Sequence, residues 1–321
     1  MPWIQLTGDM LWWSGGSKLC GFKRIEPFRE SNRTFVGHST RGDICKFIVR
    51  DQCIITGHRN GSIKFWNQLE GGDERYNFNI KRAHANDVNA IDEISQTVIS
   101  GSGNGTVKVW RTPTNRSYNM PLATVYIHDR VWSLAANPMG NKFAVGSAGN
   151  GDGPPLRIFD LECYNASDSI KHNWRRGAGI LDMVWENPHT LLTCGYDTYI
   201  RKWDMRTGTC VNAWPDPTDA TLYCISTDYH YTMVSGTQFN CKAVLWDQRQ
   251  KNFIQLYFMN LNRMSSPVYC LAFDSTHLYG ATDQHLVELT FSGYSYKENN
   301  CREILRYDTV RTNWSSANCI V

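Results

Sequence analysis

A near-constant spacing constrains this chain more than any other feature. Short strands close at Trp66, Trp110, Phe159, Trp203, Trp246 and Leu289, with successive gaps of 44, 49, 44, 43 and 43 residues. Each closing strand follows one pattern: a small or aromatic residue and His, an apolar strand, a second strand ending in Ser/Thr-Gly, then a tight turn. Gly37-His38, Ile54-Ile55-Thr56-Gly57, Asn60-Gly61 and Ile63-Lys64-Phe65-Trp66 give one copy; Ala83-His84, Val98-Ile99-Ser100-Gly101, Asn104-Gly105 and Val107-Lys108-Val109-Trp110 give the next. The long gap holds a Gly/Pro-rich insertion, Asn150 to Pro155, inside one hairpin. Strands alternating in polarity, as in Ile200-Arg201-Lys202-Trp203, bury one face each and need a neighbour to cover it. A period of about 40–45 residues with four short strands per unit is the mark of a β-propeller.

Six copies follow residue 33, and Trp3 to Leu6, Met10 to Gly16, Leu19 to Lys23 and Arg33 to Val36 read as four strands of one more. The expected fold is therefore all-β: a seven-bladed propeller of WD repeats, so named for strands that end in Trp-Asp, in one domain over residues 1–292. Residues 293–321 are expected to hold a closing strand, Arg302 to Tyr307, and then a flexible tail, unless the ring closes differently.

Composition excludes several functions. The net charge is only +3, with basic residues scattered among apolar ones, so neither a nucleic-acid nor a membrane surface is expected. No run of about 18 apolar residues occurs, and Met1 to Leu6 lack the features of a signal peptide. Eleven Cys occur without a CxxC pair, several in apolar runs (Cys45, Cys194, Cys224, Cys270). Reduced, buried thiols in a cytoplasmic or nuclear protein fit this better than disulfides or zinc.

His84, Ser100, Asn104 and Trp110 recur in order, and His38, Thr56, Asn60 and Trp66 repeat it. A catalytic site is needed once, so a repeated set points to a buried hydrogen-bond relay running from indole through hydroxyl to His and the turn residue. The glycine-rich stretches lack a following Lys-Ser/Thr, and no HExxH or GxSxG motif occurs. No enzyme, cofactor or metal is expected.

Binding is expected at the mouth of the central channel. By the repeat alignment, Cys45, Asn89, Trp132, Asp182, Tyr223 and Tyr269 enter the innermost strands, Arg59 and Tyr196 lead hairpin turns, and Arg41 and Arg130 lie on adjoining loops. Aromatics and arginines around one opening make an interaction surface for a target protein or peptide, acidic or phosphorylated where it meets the arginines. The plainer alternative is that Trp132 and Tyr223 simply fill the channel.

Several strings go beyond generic repeat wording: Asp129-Arg130-Val131-Trp132-Ser133, Gly177-Ala178-Gly179-Ile180-Leu181-Asp182, Cys194-Gly195-Tyr196-Asp197-Thr198-Tyr199 and Leu245-Trp246-Asp247-Gln248-Arg249-Gln250. With Ser265 to Leu271, they resemble the dactylin-like F-box and WD-repeat proteins, from about Trp3 to Leu289. The resemblance implies the substrate receptor of an SCF-type ubiquitin ligase, whose propeller holds a target while an F-box ahead of it binds the Skp1 adaptor and, through it, cullin. Such proteins carry the F-box just before the segment resembling Pro2 to Leu6, where this sequence starts. The sequence as it stands is thus expected to bind a target without delivering it, as a shortened form or a decoy isoform. The rival expectation is a ubiquitin-independent scaffold.

Overall fold

The computed structural model describes residues 1–24, 32–40, 42–50, 53–67, 78–112, 120–167, 170–259, 265–283 and 285–291. They form seven antiparallel sheets arranged in a ring. Blade 1 comprises β1 (Trp3–Thr7), β2 (Met10–Gly15), β3 (Lys18–Lys23) and β4 (Arg33–His38); blade 2, β5 (Ile44–Arg50), β6 (Cys53–His58), β7 (Ile63–Asn67) and β8 (Phe78–Ile80). Blade 3 holds β9 (Val88–Ile94), β10 (Thr97–Ser102), β11 (Thr106–Arg111) and β12 (Ala123–Tyr126), and blade 4 holds β13 (Val131–Ala136), β14 (Lys142–Ser147) and β15 (Leu156–Asp160). Blade 5 runs through β16 (Ile180–Asn187), β17 (Thr190–Gly195), β18 (Tyr199–Asp204) and β19 (Thr209–Pro215). Blade 6 has β20 (Leu222–Thr227), β21 (Thr232–Thr237), β22 (Lys242–Asp247) and β23 (Phe253–Phe258); blade 7 has β24 (Cys270–Phe273), β25 (His277–Ala281) and β26 (Leu286–Thr290). The expected closing strand from Arg302 to Tyr307 lies outside the described residues.

The turns show why the sequence folds this way. Asn60 and Asn104 each accept two bonds on Oδ1, from the amide and hydroxyl two residues on: Ser62 at 3.1 and 2.7 Å, Thr106 at 3.2 and 2.7 Å. Gly61 and Gly105 follow at φ +76° and +78°, where a side chain is strained. The Asn-Gly pair thus fixes each hairpin, and the hairpin fixes which strand face turns inward.

The core is distributed between blades. Six apolar clusters each join adjacent sheets; Trp203 and Leu191 of blade 5, for instance, pack with Ile158 of blade 4. Blades 2, 3, 5 and 6 are each tied internally by a tryptophan that donates its indole N–H across the blade: Trp66 to Thr56, Trp110 to Ser100 and Trp203 to Thr193 at 2.8 Å, and Trp246 to Ser235 at 2.9 Å.

The relay is complete in blade 3. Trp110 donates to Ser100, whose hydroxyl meets His84 Nε2 at 2.8 Å; His84 Nδ1 meets Thr106 Oγ1 at 2.8 Å, and Thr106 donates to Asn104. Blade 2 departs from expectation. His38 is exposed at the end of β4, and the ring bonded to Thr56 is His58, with Nε2 at 2.8 Å and Nδ1 3.3 Å from the Gly42 carbonyl. The chain from His38 to Thr56 is two residues longer than from His84 to Ser100. His58, two residues after Thr56 on the same strand face, takes the place instead.

Blades 1 and 7 meet at a seam of side chains. Cys270 packs under the Ile4 carbonyl, and Trp3, Ile4, Tyr279 and Leu286 share one cluster. Arg24, just past β3, reaches across to blade 7: it is ion-paired with Asp274, donates to the Tyr279 hydroxyl at 3.1 Å and lies over that ring. Burial pushes the Asp274 carboxyl up, but the Thr276 amide and Arg24 outweigh it and hold it well below the usual range. Arg24→Ala is expected to destabilise the protein by about 2 kcal/mol, because it removes the charge and the hydrogen bonds that tie Asp274 and Tyr279 of blade 7 to blade 1. Urea denaturation of the two proteins checks this; equal midpoints would show that the pair contributes nothing to closure.

Candidate functional site

The channel mouth is built by a repeated defect in the innermost strands. Register jumps between Ile44 and Lys46, Val131 and Ser133, Ile180 and Asp182, and Leu222 and Cys224. In blade 3 the jump leaves out Asn89. Each jump is a β-bulge, which frees one residue from the ladder near the start of the inner strand. The freed residues are Cys45, Asn89, Trp132, Leu181 and Tyr223, and Tyr269 stands in the same place just before β24.

This corrects one expectation. In blade 5 the bulged residue is Leu181; Asp182 sits one position deeper, paired with Cys194. There it faces Lys46 from blade 2 at 3.9 Å and accepts the Ile225 amide at 3.1 Å. Burial raises its carboxyl above the usual range, with Lys46 pulling the other way. Lys46 also lies 3.3 Å from the Trp3 ring centroid. Asp182 is therefore a channel tie between blades rather than a rim residue.

The remaining candidates divide by what they touch. Asn89 is buried and donates to the Val131 carbonyl at 3.2 Å, joining blades 3 and 4. Cys45 is buried too, and burial pushes its thiol up to about 11, so it stays protonated and unreactive. Arg41 lies outside the described residues. Trp132, Tyr196, Tyr223, Tyr269, Arg59 and Arg130 keep exposed surface. Arg130 stacks over Trp132 at 5.0 Å, and Tyr223 meets Tyr269 edge to face at 5.6 Å. Burial raises the Tyr196 hydroxyl, with Tyr223 adding and Arg130 opposing, so these three share one neighbourhood. Arg59 is 3.7 Å from Asp43, both well exposed, a pair that contributes little and separates easily.

Three acidic residues near the mouth, Asp43, Asp87 and Asp283, were not among the sequence candidates. Burial, then a hydrogen bond to Asp283, raises the Tyr269 hydroxyl, and Asp283 also accepts from Ser266 at 3.2 Å. Asp283 follows Ala281 as Arg59 follows Gly57 and Tyr196 follows Cys194, so the alignment that found Arg59 points to it as well. Asp43 and Asp87 stand just before β5 and β9 in the same way. The opening is thus mixed in charge, with an aromatic centre and an Arg/Asp rim.

The fold and this mouth define a WD-repeat β-propeller, a protein-interaction module. The family model described as WD domain, G-beta repeat matches residues 29–67 and 76–111. The chain is 35% identical over 297 residues to the human F-box/WD repeat-containing protein 4, covering 91% of this chain and 70% of that one, and equally to the mouse protein. It therefore belongs to the F-box/WD repeat-containing protein 4 family. A more remote likeness, 24% over 188 residues, links it to the WD repeat-containing protein 91 homolog of Dictyostelium discoideum, covering 58% of this chain and 24% of that one.

Proposed function

We propose that this propeller is the target-holding part of an SCF-type ubiquitin ligase receptor. The kinship with F-box/WD repeat-containing protein 4 over 91% of the chain carries this reading. A target segment seats on the channel mouth, with apolar or aromatic side chains against Trp132, Tyr223 and Tyr269. Arg59 and Arg130 take carboxylate or phosphate groups at the rim. Coupling to Skp1 and cullin is the work of an F-box joined to the propeller. Without one, the same surface acts as a cytoplasmic or nuclear decoy that shields targets.

The test is affinity capture from cells treated with a proteasome inhibitor, using the chain and its Arg59→Ala/Tyr223→Ala variant. Truncating two hot-spot residues is expected to weaken target binding about 30-fold or more. Captured proteins should also turn over faster when an F-box is fused ahead of the chain. Identical recoveries would overturn the mouth as the binding surface; unchanged lifetimes would favour a scaffold outside the ubiquitin pathway.

A further inference from the structure

The face opposite the mouth carries a cavity of about 650 Å³ between blades 4 and 5. It exists because blade 4 has three strands among the described residues while most of the others have four. After β15 the chain makes one bridge, Phe159 to Ala166, and the Ser167 amide donates to the Ile158 carbonyl at 2.8 Å. It then crosses to blade 5, where the Lys171 amide donates to the Gly208 carbonyl and His172 and Trp174 pack on Trp203. Among the described residues no fourth strand pairs with β15 beside this cavity.

Its floor is apolar: Ile158, Ile170 and Trp185 are buried, and Met205 is half-buried. Its rim is basic. Among the described residues, the titratable ones lining it are Lys142, Lys171, His189 and Arg206, each a potential cation. Arg206 is already held in a fork by Asp204, at 3.0 and 2.8 Å. Neither Lys171 nor Lys142 makes an ion pair among the described residues; Lys142 stands opposite Asp160 in the pairing of β14 with β15. Met139 stands 64% exposed at the edge, carrying the apolar surface beyond the cavity. A volume of several hundred Å³ with a hydrophobic floor and few polar groups suits a ligand. The exposed methionine extends the contact past what one small molecule covers.

The geometry points to a second docking site, for an acidic peptide segment of a partner protein. One or two large apolar side chains enter the cavity and flanking carboxylates pair with Lys142 and Lys171. It lies on the face away from the mouth and stands independently of the reading given to it.

Fluorescence anisotropy with the full chain tests this. The probe is a fluorescein-labelled peptide with Leu-Phe between pairs of acidic residues; one control replaces Leu-Phe by Ser-Gly and another replaces the acids by Lys. The acidic apolar peptide should bind and both controls should not. Lys142→Glu/Lys171→Glu should weaken it about tenfold, as expected for two exposed ion pairs turned repulsive. Arg59→Ala/Tyr223→Ala should leave it unchanged. Should the charge reversal alter the fold, Met139→Asp at the exposed edge carries the test with the same expected loss. Absence of binding at millimolar protein, equal binding of the basic peptide, or binding that survives the rim variants would each overturn the proposal.

Discussion

Lowering the pH from 7 to 5 is expected to remove about 4 kcal/mol of stability, through two buried rings. Burial first, and then Lys64, lowers His58 to about 4; burial and Lys108 lower His84 to about 3. Each ring has a hydroxyl at Nε2 and an oxygen at Nδ1, so a neutral ring with its proton on Nδ1 can satisfy both positions. Both folded values lie below the ordinary 6.5, so the unfolded chain binds the extra protons. The contribution is complete above pH 6.5 and declines as pH falls toward 4 for His58 and toward 3 for His84. A loss of that size is a large part of the whole stability of an ordinary domain. Urea midpoints at pH 7, 6 and 5 measure it. His84→Gln should be less stable at pH 7 but lose only about half as much on acidification. A variant with the parent's full slope would remove His84 from the account.

Gly195→Ala is expected to destabilise by at least about 3 kcal/mol and to lower the melting temperature by about 6 °C or more. An added methyl there would overlap the Gly179 carbonyl oxygen, and stand 3.0 Å from its carbon and 3.1 Å from Ile180 Cα. These are backbone atoms of the neighbouring inner strand, bonded to the Tyr196 amide at 2.9 Å, so neither side yields without breaking the ladder. Gly153→Ala is the contrast. Its methyl would meet only the tip of Arg157, a mobile side chain, and the expected change is within about 1 kcal/mol. A Gly195→Ala protein that melted with the parent would mean that the two strands stand further apart than described.

Much of this was legible in the chain. Spacing between closing strands marked six blades and the strand pattern from Trp3 to Val36 a seventh, because each unit must bury a face it cannot cover alone. Asn-Gly pairs gave the turns, and the indole, hydroxyl and imidazole of blade 3 gave the relay. Where the reading slipped, it slipped by a residue or two. His58 replaced His38 because a two-residue change in loop length decides which ring reaches Thr56, and spacing does not specify loop paths. Leu181 replaced Asp182 because Ile180 is the residue opposite Gly195, and in the apolar run Ile180-Leu181 alternation does not mark which of the two pairs there. The cavity beside blade 4 was invisible for a different reason. Among the described residues no fourth strand follows β15 in blade 4, and periodicity describes only the strands that are there.

The seam has a consequence for the order of folding. Every described sheet is drawn from one unbroken stretch of chain, so each blade can form from local contacts as soon as its residues are available. The contacts of Arg24 with Asp274 and of Ile4 with Cys270 join residues 250 and 266 positions apart, and bear the largest loop-closure cost. Until they form, the blades make an open arc with two apolar ends, each a surface on which another arc can dock. How quickly the first blade finds the seventh therefore decides between a closed monomer and a chain of copies joined end to end.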